Sequence, residues 1–218
     1  MTTVTSQTER SGRDELVRAA VGLLNDHGPD ALQTRKIAAA AGTSTMAVYT
    51  HFGGMQQLIA AVAEEGLRQF NAALAVSQTD DPVADLFVCG IAYRRFAIDH
   101  PHLYRLMFGS TSAHGINAPA HNMLTLTVAE IDDRVPSFAR LVHMVHRSML
   151  AGRITGSADD DATVVTTAAQ VWTMIHGFVM LELAGHFGDD GTAVGPVLGA
   201  MTTSLLSALG DSPERLER

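Results

Sequence analysis

The sequence predicts an all-α protein, with a three-helix head that carries a helix-turn-helix and a longer helical body behind it. Three observations lead there. No run of six or more residues alternates apolar and polar between turn residues, as a half-buried strand would. Apolar residues instead fall on single helical faces in segment after segment. The segments are separated by helix-ending residues, among them Gly28-Pro29, Gly53-Gly54 and His100-Pro101. With 218 residues, 46% of them hydrophobic and 17% charged, the chain can bury a full core without cross-links.

The first helix is expected after Ser11, with Leu16, Ala19, Ala20, Leu23 and Leu24 along one face, ending at Gly28-Pro29. A short second helix fits Thr34 to Ala41, with Thr34 as N-cap and Gly42 as its stop. A third starts after Ser44 and ends at Gly53-Gly54. A fourth, Met55 to about Val76, places Leu58, Ile59, Val62, Leu67 and Phe70 near one face, and Asp80-Asp81-Pro82 turns the chain. Val83 to His100 is helical in pattern, cut by Pro101 and followed by a short helix Leu103 to Phe108. Residues 109–120 read as a loop rich in Gly, Ser, Asn and Pro. Helices are then expected at about Ala120–Asp132 and Pro136–Arg153. Another runs from Asp159-Asp160-Asp161 to about Gly185, its acids placed where a helix N-terminus favours them. A turn at Gly188 to Gly191 leads to a last helix, Val194 to Leu209, and Gly210 to Arg218 reads as a polar, frayed tail. The acid pairs all lie at expected helix ends, where capping rather than paired-carboxylate chemistry is their ordinary role.

Composition narrows the function. One cysteine, Cys89, excludes an internal disulfide framework and a cysteine-based zinc ribbon. The polar N-terminus lacks a signal-peptide core. The longest apolar stretch, Val164 to Ala184, is interrupted by Gln170, His176 and Glu182, which argues against a membrane span. A cytoplasmic protein with no membrane partner is expected. The formal charge is −8, yet residues 1–55 hold five basic side chains against five acidic ones, so the excess acid lies beyond them. If a polyanion is a partner, only this first stretch tolerates it. There is no G-x-S-x-G, no H-E-x-x-H and no phosphate-cradling glycine loop, so an enzyme is not expected, and no cofactor is implied.

The second and third helices meet the demands of a helix-turn-helix. Ala38, Ala39, Ala41 and Ala47 are small enough for a close crossing, and Gly42 sits at the turn. Thr43, Ser44 and Thr45 put short polar side chains at the leading end of the third helix. Ile37, Val48 and Phe52 are apolar anchors. The run Leu16-Val17-Arg18-Ala19-Ala20 … Leu24 … His27-Gly28 … Thr34-Arg35-Lys36-Ile37-Ala38-Ala39-Ala40-Ala41-Gly42-Thr43-Ser44 … Val48-Tyr49-Thr50-His51-Phe52 resembles the N-terminal domain of TetR-type transcriptional regulators. The resemblance implies a DNA-binding domain over residues 12–60 and a helical effector-binding and dimerisation domain over 61–218. It also implies a homodimer on a near-palindromic double-stranded operator, a repressor that lets go of DNA when a small molecule binds. By position, Thr34 and Arg35 match phosphate-side residues, and Ser44, Thr45 and Met46 lie at the leading end where bases are read. Tyr49, Thr50 and His51 match the stretch that meets phosphates, and Phe52 matches a core anchor. The sequence departs from the family at Met55, close to where a phosphate-binding lysine is usual.

The body resembles a TetR subgroup with a so-called WHG-type C-terminal domain, through Tyr93-Arg94-Arg95-Phe96-Ala97, Leu103-Tyr104-Arg105-Leu106-Met107-Phe108 and the Trp172-x3-His176-Gly177 signature. Phe96, Met107, Phe108, Met149, Trp172 and Met180 are expected to line an apolar effector cavity. Tyr93, Tyr104, His143, His146 and His176 would fix the ligand's orientation. For any one of these residues taken singly, a plain helical core is the better account. His143 and His146 share a helix face, as two metal ligands would, but no third ligand is linked to them and no metal is expected. The uncharged helix Val194–Leu209 suits a dimer face, or burial within one chain. A helical binding protein with a disused DNA-binding head is the alternative reading.

Overall fold

The computed structural model describes residues 2–109 and 122–216, and among them it is helical with no strand. The chain divides into two compact units. The first gathers the residues up to Phe70 with the stretch from Asp99, and the second holds Asn71–Ile98 and the C-terminal part from 121.

In the first unit, α1 (Thr2–His27) begins well before Ser11. Leu16, Ala20 and Leu24 are fully buried along it. Gly28 ends it with φ +74, and a one-turn 3-10 helix at Pro29–Ala31 leads to α2 (Thr34–Ala40). The N-cap of α2 is Gln33 and not Thr34, which is already the first helical residue. Gln33 ties its side-chain Nε2 back to the Asp30 carbonyl, so the preceding turn sets where the helix starts. Gly42, at φ +65, makes the turn into α3 (Thr45–Phe52), where Ser44 is the N-cap by backbone conformation without a side-chain cap bond. A left-handed Gly53 ends α3, as the Gly-Gly pair requires. Then α4 (Met55–Ala73) buries Leu58, Ile59, Val62 and Phe70. The short α6 (Pro101–Met107) packs on α1, and Tyr104 forms an edge-to-face cluster with Phe70 and Phe108. A Cβ on Gly66 would stand 2.8 Å from Leu103 and Met107, so a glycine lets this part of α6 lie close to α4.

In the second unit, α5 (Pro82–Asp99) starts one residue earlier than expected, with Pro82 in its first turn. The Asp81 carboxylate accepts from the Val83 and Ala84 amides, which confirms capping as one role of that acid. The expected helix Ala120–Asp132 is not formed as such. Part of it and nearly all of the expected loop lie outside the described residues. In its place stand a 3-10 turn, Met123–Thr125, and a helix α7 (Val128–Arg134) that starts on a Thr127/Glu130 capping box. The sequence holds that box, and it sets the start eight residues later. Next, α8 (Pro136–Leu150) stops short of Arg153 at Gly152, φ +65. Asp160 caps α9 (Asp161–Leu183), which is long and apolar enough to cross a membrane by length and composition, with a mean hydropathy of 1.4. It packs on α8 and buries Val164, Val165, Ala168, Ile175, Phe178 and Val179, as a core helix does. The expected last helix splits in two: a π-helical turn, Val194–Gly199, holding Gly195 and Pro196, then α10 (Ala200–Ala208). The tail is not simply frayed. Asp211 is buried and pairs with Arg153, and α11 (Pro213–Leu216) comes after it.

Candidate functional site

The head is built around α3. Val48 and Ile37 are fully buried and Phe52 nearly so, and they fix α3 and α2 against α1. Ala38 is buried at 2% exposure, but Ala39 lies on the surface, so the close crossing uses fewer of the alanines than their run implies. With the anchors turned inward, α3 turns its other face outward. Met46 is 67% exposed and Tyr49 55%, and Ser44, Thr45 and Thr50 are exposed beside them. Arg35 is exposed on α2 and Thr34 is half-buried at its start. The leading end of α3, with its unpaired backbone amides, and the hydroxyls around it are thus presented together.

Two of the expected residues have intramolecular partners. The Thr50 hydroxyl donates to the Met46 carbonyl at 3.0 Å, which leaves its oxygen as an acceptor only. His51 is half-buried with its ring against Gly12, where an added Cβ would meet Nε2 at 3.0 Å. No periodicity in α1 marks Gly12 as a seat for that ring. Nor does spacing mark Arg13. Its guanidinium lies 5.0 Å from the Phe52 ring centre, a cation–π contact that holds one exposed cation over the root of α3.

The body holds a second constellation. Tyr93, buried on α5, accepts a hydrogen bond from Trp172 Nε1 at 3.1 Å, and its oxygen lies 3.0 Å from His176 Nδ1. Trp172 also packs on Phe138 and on the His176 ring. Burial holds the His176 imidazole below its ordinary pKa, so the neutral ring prevails near pH 7. Phe96 and Met149 are buried in the same unit, and Met180 is half-buried on α9. Tyr104, Met107 and Phe108 belong to the first unit. His143 is exposed, its Nε2 2.7 Å from Asp132, and His146 is half-buried on the same helix. Sequence reasoning misses Arg94, which grips the buried Glu182 through two hydrogen bonds of 2.8 and 2.6 Å. A lone acid inside an otherwise apolar stretch is the sequence signal for it.

Residues 86–205 match the model of the tetracyclin repressor-like C-terminal domain, and residues 16–62 match that of bacterial regulatory proteins of the tetR family. The chain belongs to the TetR family of transcriptional regulators. It therefore combines a DNA-binding domain with a C-terminal ligand-binding domain. Over 66 residues it is 41% identical to the class A tetracycline repressor protein from transposon 1721 of Escherichia coli, a match that spans 30% of either chain. Over 184 residues it is 26% identical to an uncharacterised helix-turn-helix regulator of Mycobacterium tuberculosis, covering 83% of this chain and 74% of that one. A Rhodococcus protein of unknown function has a similar solved structure, with TM-score 0.69 and 27% identity over 92% of this chain and 96% of that one. A tetracycline-repressor variant from Acinetobacter baumannii, solved with minocycline, shares the fold, with TM-score 0.58 and 20% identity over 93% and 96%.

Proposed function

We propose that this TetR-family chain is a cytoplasmic, homodimeric repressor without catalytic activity, and that a small, largely apolar effector makes it release a near-palindromic operator. The observation that carries the DNA half of this reading is the exposure of Thr45, Met46 and Tyr49 at one end of α3 while Val48 and Phe52 anchor its other face. Such a helix end, backed by a packed support, fits a major groove. Thr34, Arg35, Ser44, Thr50 and His51 are the proposed flanking residues, with the acceptor-only Thr50 hydroxyl the weakest among them.

The dimer half rests on α9 and the segment after it. Thr166, Gln170, Thr173, Gly177, Leu181 and Ala184 are exposed at helical spacing and uncharged. Met201 is 46% exposed on α10, which also carries no charge. Two copies paired through these helices would place two heads on two half-sites. The effector half rests on Tyr93, Trp172 and His176 in a mostly apolar setting, with Phe96, Met149 and Met180 as further lining. His143 and His146 stay as proposed lining with less support from their placement, and Tyr104, Met107 and Phe108 are proposed on the resemblance alone.

Gel-shift titration on DNA flanking the encoding gene tests the reading. A retarded, competitor-resistant complex that Tyr49→Ala weakens about tenfold is expected. The neutral head and Met55 favour the second reading, a ligand-binding protein with a disused head. That reading requires no specific complex at any salt concentration.

A further inference from the structure

In the head, consecutive residues of α1 meet consecutive residues of α3. Gly12 seats the His51 ring: an added Cβ would stand 3.0 Å from Nε2 and 3.5 Å from Cε1, so the ring approaches α1 by the edge that carries Nε2. Arg13 lies over Phe52, its guanidinium carbon 5.0 Å from the ring centre. Phe52 is 7% exposed while Arg13 is exposed, so the cation stands on the solvent side of a buried ring. A guanidinium that uses one face on an aromatic ring still offers its N–H groups around the edge. Among the described residues Arg13 has no carboxylate partner. Arg18, further along α1, differs. The Glu65 carboxyl is held below its ordinary range first by its bond to Arg68 and, more weakly, by the charge of Arg18, so Arg18 already faces an acid. A cation held in place without a counter-ion, beside a proposed DNA residue, is suited to an anion from outside the chain.

We propose that Arg13 binds a DNA backbone phosphate at the trailing end of α3, that Phe52 positions it there, and that Gly12 seats His51 beside it. The proposal rests on the DNA reading of the head and adds α1 to the elements that meet the duplex. The two ends of α3 then act by different chemistry. The leading end offers backbone amides and the short polar side chains of Ser44 and Thr45. The trailing end adds charge, which positions the head but carries no sequence information. That charge counts because residues 1–55 hold as many acidic as basic side chains, so attraction to a polyanion depends on single uncompensated cations. Arg35 and Lys36 supply them from α2, Met55 supplies none at the start of α4, and Arg13 supplies one from α1. The cation–π contact fixes where that last charge sits, so less side-chain freedom is lost when a phosphate takes it.

Fluorescence anisotropy of the full-length protein tests this on two labelled duplexes, one from the DNA flanking the encoding gene and one of scrambled sequence, each over a salt series. Arg13→Gln is expected to weaken both complexes by a similar factor, about tenfold at low salt, and to flatten the slope of log affinity against log salt by about 2 per dimer. Arg13→Lys keeps the charge and should keep the slope. Gly12→Ala should still fold, because the His51 ring ends a side chain and can swing aside, yet bind DNA more weakly; melting curves check the fold of each variant. An unchanged slope in Arg13→Gln overturns the phosphate role even if affinity falls, since a purely structural arginine would lower affinity alike at every salt concentration. A loss confined to the flanking-gene duplex overturns it too, because a phosphate contact reads no sequence. Wild-type affinity in Gly12→Ala overturns the seat of His51. If the wild type binds both duplexes equally or neither, the DNA reading itself fails, and this inference falls with it.

Discussion

Tyr49 and Cys89 show what solvent exposure decides for a single side chain. Tyr49 is 55% exposed on a helix whose neighbours Val48 and Phe52 are buried, so removing its ring leaves the fold almost untouched. Tyr49→Ala should leave the thermal midpoint within about 2 °C of the wild type, a surface-sized change, while weakening DNA binding. Parallel melting and gel-shift measurements separate the two, and a large fall in the midpoint would mean the ring is structural. Cys89 is the opposite case. It is the sole cysteine, buried on α5, and burial pushes its thiol up to about 11. Thiolate is then scarce at pH 8, and the sulfur is shielded as well. A maleimide reagent should label native protein very slowly and denatured protein at the rate of a free peptide thiol. Fast native labelling, followed by mass spectrometry, would show that α5 opens readily. The residues of the head were legible because their roles follow from type and spacing: a glycine where φ must be positive, apolar anchors three and four apart, short polar residues between them. The seat of His51 on Gly12 was not, since a pair separated by 39 positions leaves no local pattern.

Among the elements, the segment from Thr79 into α5 is the most strongly tied. Arg147 bonds the Asp85 carboxylate at 2.8 Å and the Thr79 carbonyl at 2.6 Å. Arg153 bridges Asp81 at 2.7 Å and the buried Asp211 at 2.8 Å, joining the start of α5 to the chain after α10. Burial works to raise Asp81 and Asp85, but their hydrogen bonds and the arginines outweigh it and hold both carboxyls below the ordinary range. Asp211 is lowered first by its bonds to Arg153. A carboxyl whose folded pKa lies below its unfolded one, near about 3.9, stabilises the fold fully above that value and loses the effect as pH falls through the folded pKa. Urea midpoints should therefore fall gently from about pH 7 to 5, where the unfolded chain protonates His176 more readily than the fold does, and steeply below about pH 4. Asp211→Asn should shallow that fall and lower the neutral-pH midpoint, because Arg153 keeps its charge in a buried place with a weaker partner. A pH profile unchanged by the substitution would remove Asp211 from this role. Most of the helix order was legible, whereas these ties were not: Asp81 read as part of a turn and Asp211 as tail, and only folding places two arginines of distant sequence among them and Asp85. The π-helical turn at Val194–Gly199 was hidden for a related reason, as Pro196 and two glycines disturb a helical register without abolishing its apolar pattern.

At the scale of the whole molecule, charge sets how DNA binding responds to salt. The chain carries −8, and residues 1–55 are neutral overall, so attraction to a polyanion is local and weak while the rest of the surface opposes it. On the helix-turn-helix the exposed cations are Arg35 and Lys36. Arg13 adds a third on α1, held over Phe52. Met55, half-buried at the start of α4, supplies none. Two to three side-chain cations per head, doubled in a dimer and multiplied by ~0.9 counterions released per neutralised phosphate, give a slope of log affinity against log salt of about −4 to −5. Backbone amides at the leading end of α3 and neutral hydroxyls carry the remaining phosphate bonds, and these release few ions. Fluorescence anisotropy of a labelled operator between low and physiological salt measures the slope. Met55→Lys should steepen it by about 2 in a dimer and tighten binding most at low salt. A wild-type slope near about −10 would mean that cations outside the head reach the duplex, and a Met55→Lys slope equal to the wild type would mean that the start of α4 does not face a phosphate at all.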